Sequence, residues 1–215
     1  MKLLTVGDSF TYGEELSNPQ ISAWPFLLGN KLGCEVTNLA KPGSGNTRMI
    51  RYIIENVKKF DLVIIAWSHF ARWEWADQKG FYDVWPGCSP SPYESFAPWR
   101  KYLIDHITWN HDDNYLYRQY LINIILLQNY LKVNNTRYLM LDSFGNHQHK
   151  ERKNLNNKDL IDQIDPSYFI GWPKESMMEW THKVPQGPGN HFLEDGHIKV
   201  SEKIYQYMER LSWLS

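Results

Sequence analysis

Cysteine is scarce in this sequence, with two residues, Cys34 and Cys88, among 215. Two cysteines cannot build the disulfide framework of a small secreted domain, and a chain of this length can bury a core without one. Positive charge is not in surplus either, since 23 Lys and Arg meet 24 Asp and Glu. This balance argues against nucleic acid or a membrane surface as a partner.

Long apolar runs are also absent, because none reaches the ~20 residues of a membrane-spanning helix. The first strand pattern begins at Lys2, which leaves no signal peptide ahead of it. We therefore expect a cytoplasmic protein. The length predicts one domain over residues 1–215, and nothing in the sequence indicates its oligomeric state.

The apolar patterns that are present alternate between strand and helix. Strands are predicted at about residues 2–6, 34–39, 62–67 and 137–141, and residues 62–67 form a continuous apolar run. Apolar residues at helical spacing predict helices at about residues 22–31, 47–59, 113–132 and 193–211. This alternation is typical of the α/β class, here a three-layer α/β/α sandwich around a parallel sheet of about five strands.

Two segments do not follow this alternation, and we interpret residues 70–112 and 145–189 as insertions. The first insertion and the strand before it are rich in tryptophan, at Trp67, Trp73, Trp75, Trp85, Trp99 and Trp109. Aromatic rings here could form a sugar-stacking wall beside an active site. They could equally form an accessory core or an oligomer contact.

The first strand ends in the motif Gly7-Asp8-Ser9-Phe10. Ligands bind beyond the carboxyl ends of the strands in an open parallel sheet, so Ser9 is placed where a nucleophile can meet a substrate. Ser9 could instead cap the following helix. The motif resembles the first block of the SGNH (GDSL-like) hydrolases, which implies a flavodoxin-like fold with Ser9 as the nucleophile and Asp8 as a structural acid.

The loop after the second strand, residues 38–47, carries glycines that let backbone N–H groups approach a ligand closely. It resembles the second block of the same family, in which a glycine N–H joins the oxyanion hole. The spacing from Asn38 favours Gly43 for this role, whereas the local Gly-Asn-Thr pattern favours Gly45. We prefer Gly43, and the Ser9 N–H is the expected second donor.

The third block departs from the family pattern Gly-x-Asn-Asp, because Ala66-Trp67-Ser68-His69 occupies its place. Ser68 can donate one hydrogen bond, so we expect it to replace the asparagine as an oxyanion donor. The sequence that follows resembles a divergent branch of the family that includes phage-encoded members. A phage-encoded chain could be associated with the virion.

Two histidines are candidates for the base that a serine nucleophile needs. The family places its catalytic histidine in the loop before the last helix, which favours His191. The alternative is His197 with Asp195 as its acid, with Glu194 as another possible acid, although His197 lies inside the predicted helix. If His191 is the base, the position three residues earlier, where the family has its acid, is Pro188. The imidazole must then be oriented by a backbone carbonyl or by an acid from elsewhere in the chain, or the site must be a Ser–His dyad.

His147 and His149 form an H-x-H pair, and His182 and His191 follow them in the sequence. A metal site needs three or four convergent ligands, so we expect neither a metal nor another cofactor. The resemblance implies an ester hydrolase that acts through an acyl-enzyme. We expect it to remove a small acyl group, such as acetyl, from a carbohydrate or similar small molecule. The alternatives are an O-acyltransferase at the same site and a catalytically impaired module that binds a glycan or a protein.

Overall fold

The computed structural model describes residues 1–78, 80–88, 98–146 and 157–214, with the side chains of all of these except residues 98–100. Five parallel strands form the central sheet in the order β2-β1-β3-β6-β7. They are β1 (Lys2–Val6), β2 (Glu35–Asn38), β3 (Leu62–Trp67), β6 (Arg137–Asp142) and β7 (Phe169–Ile170). All four pairings between neighbouring strands are parallel. The predicted five-stranded parallel sheet is confirmed.

Helices cover both faces of this sheet because successive side chains of a strand point to opposite faces. On one face Leu4, Val63 and Ile65 pack against helices α4 (Asn46–Asn56) and α6 (Asp113–Val133). On the other face Leu3 and Ile64 pack against α3 (Trp24–Leu32) and α9 (Glu194–Arg210). The structure therefore has the three-layer α/β/α architecture that the sequence pattern predicts.

The segment 70–112 contains regular structure that the sequence pattern did not indicate. An antiparallel hairpin joins β4 (Trp73–Asp77) to β5 (Gly80–Val84), and helix α5 (Pro98–Asn110) precedes α6. Segment 145–189 holds α7 (Lys158–Ile161), a 3-10 turn at Pro166–Tyr168, strand β7 and α8 (Met177–Thr181). A two-residue strand is too short to give an apolar period, so β7 could not be predicted from the sequence.

Two short helices, α1 (Ser9–Tyr12) and α2 (Pro19–Ser22), lie between β1 and α3. The tryptophans of residues 67–109 do not form one wall. Trp67 is fully buried in the sheet core, whereas Trp109 is 84% exposed on α5. Among the helices of the described residues, none is long and apolar enough to span a membrane.

Candidate active site

Ser9 lies at the carboxyl end of β1, on the first residue of α1, with 5% of its surface exposed. The turn that places it depends on Gly7, because a Cβ there would lie 2.2 Å from Thr11 Oγ1. The side chain of Asp8 caps α1 by accepting a hydrogen bond from the Phe10 N–H at 3.1 Å. Asp8 and not Ser9 is thus the helix cap, which leaves the serine hydroxyl available for chemistry.

The carboxyl group of Asp8 is fully buried and also accepts a hydrogen bond from Ser143 Oγ at 3.2 Å. Burial raises its pKa, and the nearby Arg72 guanidinium acts in the opposite direction. An acid held inside the turn in this way fixes the backbone at Ser9 and is not placed to meet a substrate.

The loop after β2 docks against the Ser9 turn, since the Lys41 N–H donates to Gly7 O at 3.2 Å. Residues 41–44 form a turn closed by the Ser44 N–H and Lys41 O, with Gly43 at φ +73°. Proline followed by a glycine with positive φ is the pattern of a type II turn. The N–H groups of Ser9 and Gly43 have no acceptor among the described residues, so both are free to receive an oxyanion.

Two other predicted oxyanion donors are engaged elsewhere. The Gly45 N–H donates to Asp83 Oδ1 at 2.8 Å. Ser68 is fully buried, and its hydroxyl lies against Arg72 Nη1 at 3.3 Å and also hydrogen-bonds to Asp8. This geometry favours Gly43 over Gly45 and does not favour Ser68 as a donor to a substrate.

His191 lies in the loop before α9 and contacts two carboxylates from the segment that follows Ser9. Its Nδ1 is 2.9 Å from Glu15 Oε2, and its Nε2 is 3.4 Å from Glu14 Oε2. The His191 side chain is 17% exposed, Glu15 is 19% exposed and Glu14 is 41% exposed. The structure therefore supplies an acid for His191 from a remote position in the sequence, in place of Pro188.

Glu15 is fastened to the histidine loop by more than this one contact. Its Oε1 accepts from the Gly189 N–H at 2.7 Å, and its Oε2 accepts from the His191 N–H at 3.2 Å. These hydrogen bonds, that of Gly189 foremost, lower the pKa of the Glu15 carboxyl. Sequence reasoning missed Glu15, and the only signal for it was the absence of an acid at Pro188.

The ring of Phe10, the residue after Ser9, stacks on Phe192 at 5.1 Å and lies 5.1 Å from the His191 imidazole. The Ser9 hydroxyl does not hydrogen-bond to His191 in this structure, where Glu14 lies beside Nε2. Hydrogen bonds between a nucleophile and its base are often long or absent before substrate binds.

His197 is placed differently from His191, inside α9 and only 1% exposed. Its Nδ1 accepts from the Trp24 N–H at 3.1 Å, at the start of α3. Burial, with a smaller contribution from His191, lowers its pKa to about 3. The alternative acid Asp195 is exposed and has no polar partner among the described residues, so the pair His197 and Asp195 does not form.

No group of three or more metal-ligating side chains occurs among the residues that the structure describes. His147 and His149, the two histidines considered for a metal, lie outside those residues. A cavity of about 350 Å³ opens at the carboxyl edge of the sheet, beside Arg72, Trp85 and Phe144. A cavity of about 660 Å³ lies at the opposite edge, near Lys58 and Arg137, away from Ser9.

Comparison with solved structures finds the same fold in several ester hydrolases. The psychrotrophic esterase EstA from Pseudoalteromonas sp. is similar over 98% of this chain and 97% of its own, with a TM-score of 0.58 and 11% identity. A mutant of Axe2, an acetyl-xylooligosaccharide esterase from Geobacillus, is similar over 96% and 93%, with a TM-score of 0.56 and 16% identity. A protein from Desulfitobacterium hafniense, assigned to the lipolytic G-D-S-L family, is similar over 96% of this chain and 98% of its own, with a TM-score of 0.51 and 14% identity.

The fold is thus that of the SGNH (GDSL-like) hydrolases, as the motif at Ser9 predicted. No curated protein matches the sequence. The chain belongs to DUF6071, a family of unknown function whose model matches residues 17–214. That match begins after the Ser9 turn and after Glu15.

Proposed function

We propose that this chain is a serine ester hydrolase that acts through an acyl-enzyme at Ser9. The observation that carries the proposal is the contact between His191 and Glu15, 2.9 Å from Nδ1 to Oε2, in a loop that packs on the Ser9 turn. An acid on Nδ1 fixes the tautomer in which Nε2 can accept a proton. A module that only binds would have no need of this arrangement.

In the proposed reaction the Ser9 hydroxyl attacks the ester carbonyl while His191 Nε2 takes its proton. The oxyanion accepts hydrogen bonds from the N–H groups of Ser9 and Gly43, which have no other acceptor among the described residues. The alcohol leaves with the proton from His191 and the acyl group stays on Ser9. Water then attacks the carbonyl of the acyl-enzyme and gives a proton to His191. The bond from the acyl carbon to Ser9 Oγ breaks, Ser9 Oγ takes that proton from His191, and the acid is released.

The proposed substrate is a small acyl ester, such as an acetyl ester, of a carbohydrate. Two features support this choice. The ring of Trp85 lies 3.0 Å from where a Cβ of Gly43 would be, which leaves little room beside the proposed oxyanion donor. One of the similar structures is that of an acetyl-xylooligosaccharide esterase.

The test is hydrolysis of p-nitrophenyl acetate and of acetylated oligosaccharides by wild type, Ser9→Ala, His191→Ala and His197→Asn. We expect the first two variants to lose turnover and His197→Asn to keep it. A serine-directed phosphonate should label wild type at Ser9, as EstA is described as inhibited by monoethylphosphonate.

Two results would contradict the proposal in different ways. Transfer of the acyl group to an added sugar, with little hydrolysis, would make the chain an O-acyltransferase that uses the same residues. Absence of both Ser9-dependent turnover and Ser9 labelling would instead indicate a binding module.

A further inference from the structure

The cavity of about 350 Å³ at the carboxyl edge of the sheet is built around one arginine. Its walls include His69, Arg72, Trp85, His111, Asp113 and Phe144. Trp85 also touches the Gly43 turn, and the Phe144 ring packs edge-on against Phe10 at 5.3 Å. The cavity therefore adjoins both the proposed oxyanion loop and the residue that follows Ser9.

Arg72 lies in the wall of this cavity, with 18% of its side chain exposed. Its guanidinium carbon lies over the rings of Trp85 and Phe144, 4.9 Å from each ring centre. One terminal nitrogen, Nη1, reaches Ser68 Oγ at 3.3 Å and is 4.0 Å from Asp8 Oδ2. The N–H groups on Nε and Nη2 have no acceptor among the described residues.

Arg51 is a useful comparison for Arg72, because a neighbouring carboxylate neutralises its charge. It also lies over two rings, Tyr52 at 4.7 Å and Phe81 at 4.1 Å. In contrast to Arg72, it makes two 2.8 Å hydrogen bonds to Glu74, so its charge is satisfied within the protein. Arg72 has the same aromatic support but no carboxylate closer than 4.0 Å among the described residues.

Two carboxylates lie near the cavity, those of Asp8 and Asp113, and neither hydrogen-bonds to Arg72. Asp113 faces His111, with 3.3 Å between its Oδ1 and Nε2. Asp8 Oδ2 is 4.0 Å from Arg72 Nη1, which is too far for a hydrogen bond. A guanidinium with free N–H groups at the edge of its plane is suited to bind a carboxylate through two parallel hydrogen bonds.

We propose that this cavity is a subsite in which Arg72 binds a carboxylate on the alcohol part of the ester substrate, so that the preferred substrate is an acylated acidic sugar. The inference rests on the proposed function, because it assumes that the ester carbonyl sits at Ser9. It narrows the substrate class from carbohydrate esters to those that carry a carboxylate.

The test compares two probes that differ in charge alone, O-acetyl glucuronate and its neutral O-acetyl glucuronamide. We expect wild type to prefer the glucuronate by about 10- to 100-fold in kcat/KM. Arg72→Gln should lose this preference, with a larger fall in kcat/KM for the glucuronate than for the glucuronamide. Arg72→Lys, which keeps a positive charge near Asp8, should retain part of the preference, and Arg51→Gln should retain all of it.

Either of two results would contradict the proposed role of Arg72 in this subsite. The first is equal turnover of both probes by wild type. The second is an equal loss on both probes in Arg72→Gln and Arg72→Lys, which would make Arg72 a structural partner of Asp8 or an oxyanion donor. Ser9-dependent cleavage of p-nitrophenyl acetate in these cases would leave the proposed function intact.

Binding measured without turnover keeps the subsite testable if no ester is hydrolysed. Titration calorimetry of glucuronate and glucuronamide against wild type and Arg72→Gln serves this purpose. Binding of glucuronate alone, lost in Arg72→Gln, would support the subsite even if the proposed hydrolase activity fails. Absence of any difference between the two ligands would reject it.

Discussion

Three polar contacts hold Glu15 to the histidine loop. We expect Glu15→Gln to lower kcat by about 10²- to 10⁴-fold with little change in KM, because the amide no longer fixes the tautomer of His191. An amide oxygen can still accept from the Gly189 N–H, so the loop should stay in place. Steady-state kinetics and thermal unfolding of the variant together check this.

Glu14→Gln is the matched control for this prediction. Glu14 lies 3.4 Å from Nε2 and is 41% exposed, so its removal should change kcat far less than Glu15→Gln does. Equal effects of the two substitutions, or none from Glu15→Gln, would show that Glu15 does not position the imidazole.

His197 should make the folded state sensitive to acid. Its pKa is lowered to about 3 in the fold, whereas an unfolded histidine has a pKa near 6.5. The unfolded chain thus binds the extra proton first, and the free energy of unfolding should fall as the pH drops from about 6.5 towards 3. Urea unfolding of wild type and His197→Asn at pH 7 and pH 5 measures this difference.

The asparagine variant tests the histidine without removing its hydrogen bond. The Asn oxygen can take the place of Nδ1 as the acceptor of the Trp24 N–H, so we expect part of the pH dependence to disappear while the protein stays folded. His197→Phe leaves that buried N–H without a partner and should cost about 1–3 kcal/mol at pH 7. A pH dependence that is unchanged in His197→Asn would contradict the assignment.

At the scale of single elements, the turn at residues 41–44 is where local strain and the proposed chemistry coincide. In Gly43→Ala the Cβ would meet the Trp85 ring at 3.0 Å, at a backbone φ of +73°. We expect the turn to shift and kcat to fall by about 10²-fold or more, since one oxyanion donor is displaced. Hydrolysis of p-nitrophenyl acetate measures the loss.

Gly33→Ala is the control for Gly43→Ala, because it introduces backbone strain without displacing the Gly43 N–H. Gly33 also has positive φ, +59°, but a Cβ there would meet nothing within 4 Å. It should cost about 1–2 kcal/mol of stability and leave kcat nearly unchanged. A similar kcat in both alanine variants would exclude Gly43 from the oxyanion hole.

The hairpin of β4 and β5 is fastened to α4 by a buried ion cluster. Asp83 pairs with Arg48 at 2.9 Å, and both side chains are under 10% exposed, at 6% and 7%. Asp83→Asn should destabilise the fold by on the order of 3 kcal/mol, because Arg48 and Arg51 would then share the single buried carboxylate of Glu74. The shift in the urea midpoint checks this value.

Glu55→Gln is the control for the ion cluster. Glu55 pairs with Arg51 at 3.3 Å but is 52% exposed, so its loss should cost less than about 1 kcal/mol. If Asp83→Asn were as mild as Glu55→Gln, the hairpin would be held by its apolar contacts and not by charge.

At the scale of the whole molecule, the sequence predicts the layers well and the site only in part. Continuous runs such as residues 62–67 and the long stripe of α6 are local patterns, and the structure has both. The contact of Glu15 with His191 joins residues 176 positions apart, and it exists only because two loops dock. A contact between two distant loops has no local sequence pattern, and a two-residue strand such as β7 is too short to have one.

The two cavities lie at opposite edges of the parallel sheet, and the direction of the strands predicts which of them binds substrate. All five strands end at the edge that holds Ser9, and ligands bind at that edge in open α/β sheets. We expect Lys58→Trp, which fills the cavity of about 660 Å³ at the other edge, to leave kcat/KM unchanged on every ester. His111→Trp, in the cavity of about 350 Å³, should lower kcat/KM for an acetylated sugar by about tenfold or more.

The small ester p-nitrophenyl acetate distinguishes blocked access from a damaged site. His111→Trp should hydrolyse it nearly as well as wild type, since the substitution lies beside Arg72 and touches neither Ser9 nor His191. Equal losses on the sugar and the small ester would mean that the tryptophan distorts the Ser9 turn. A loss of activity in Lys58→Trp with the fold intact would place a functional site at the amino edge of the sheet. That result would contradict the expectation that ligands bind at the carboxyl ends of the strands.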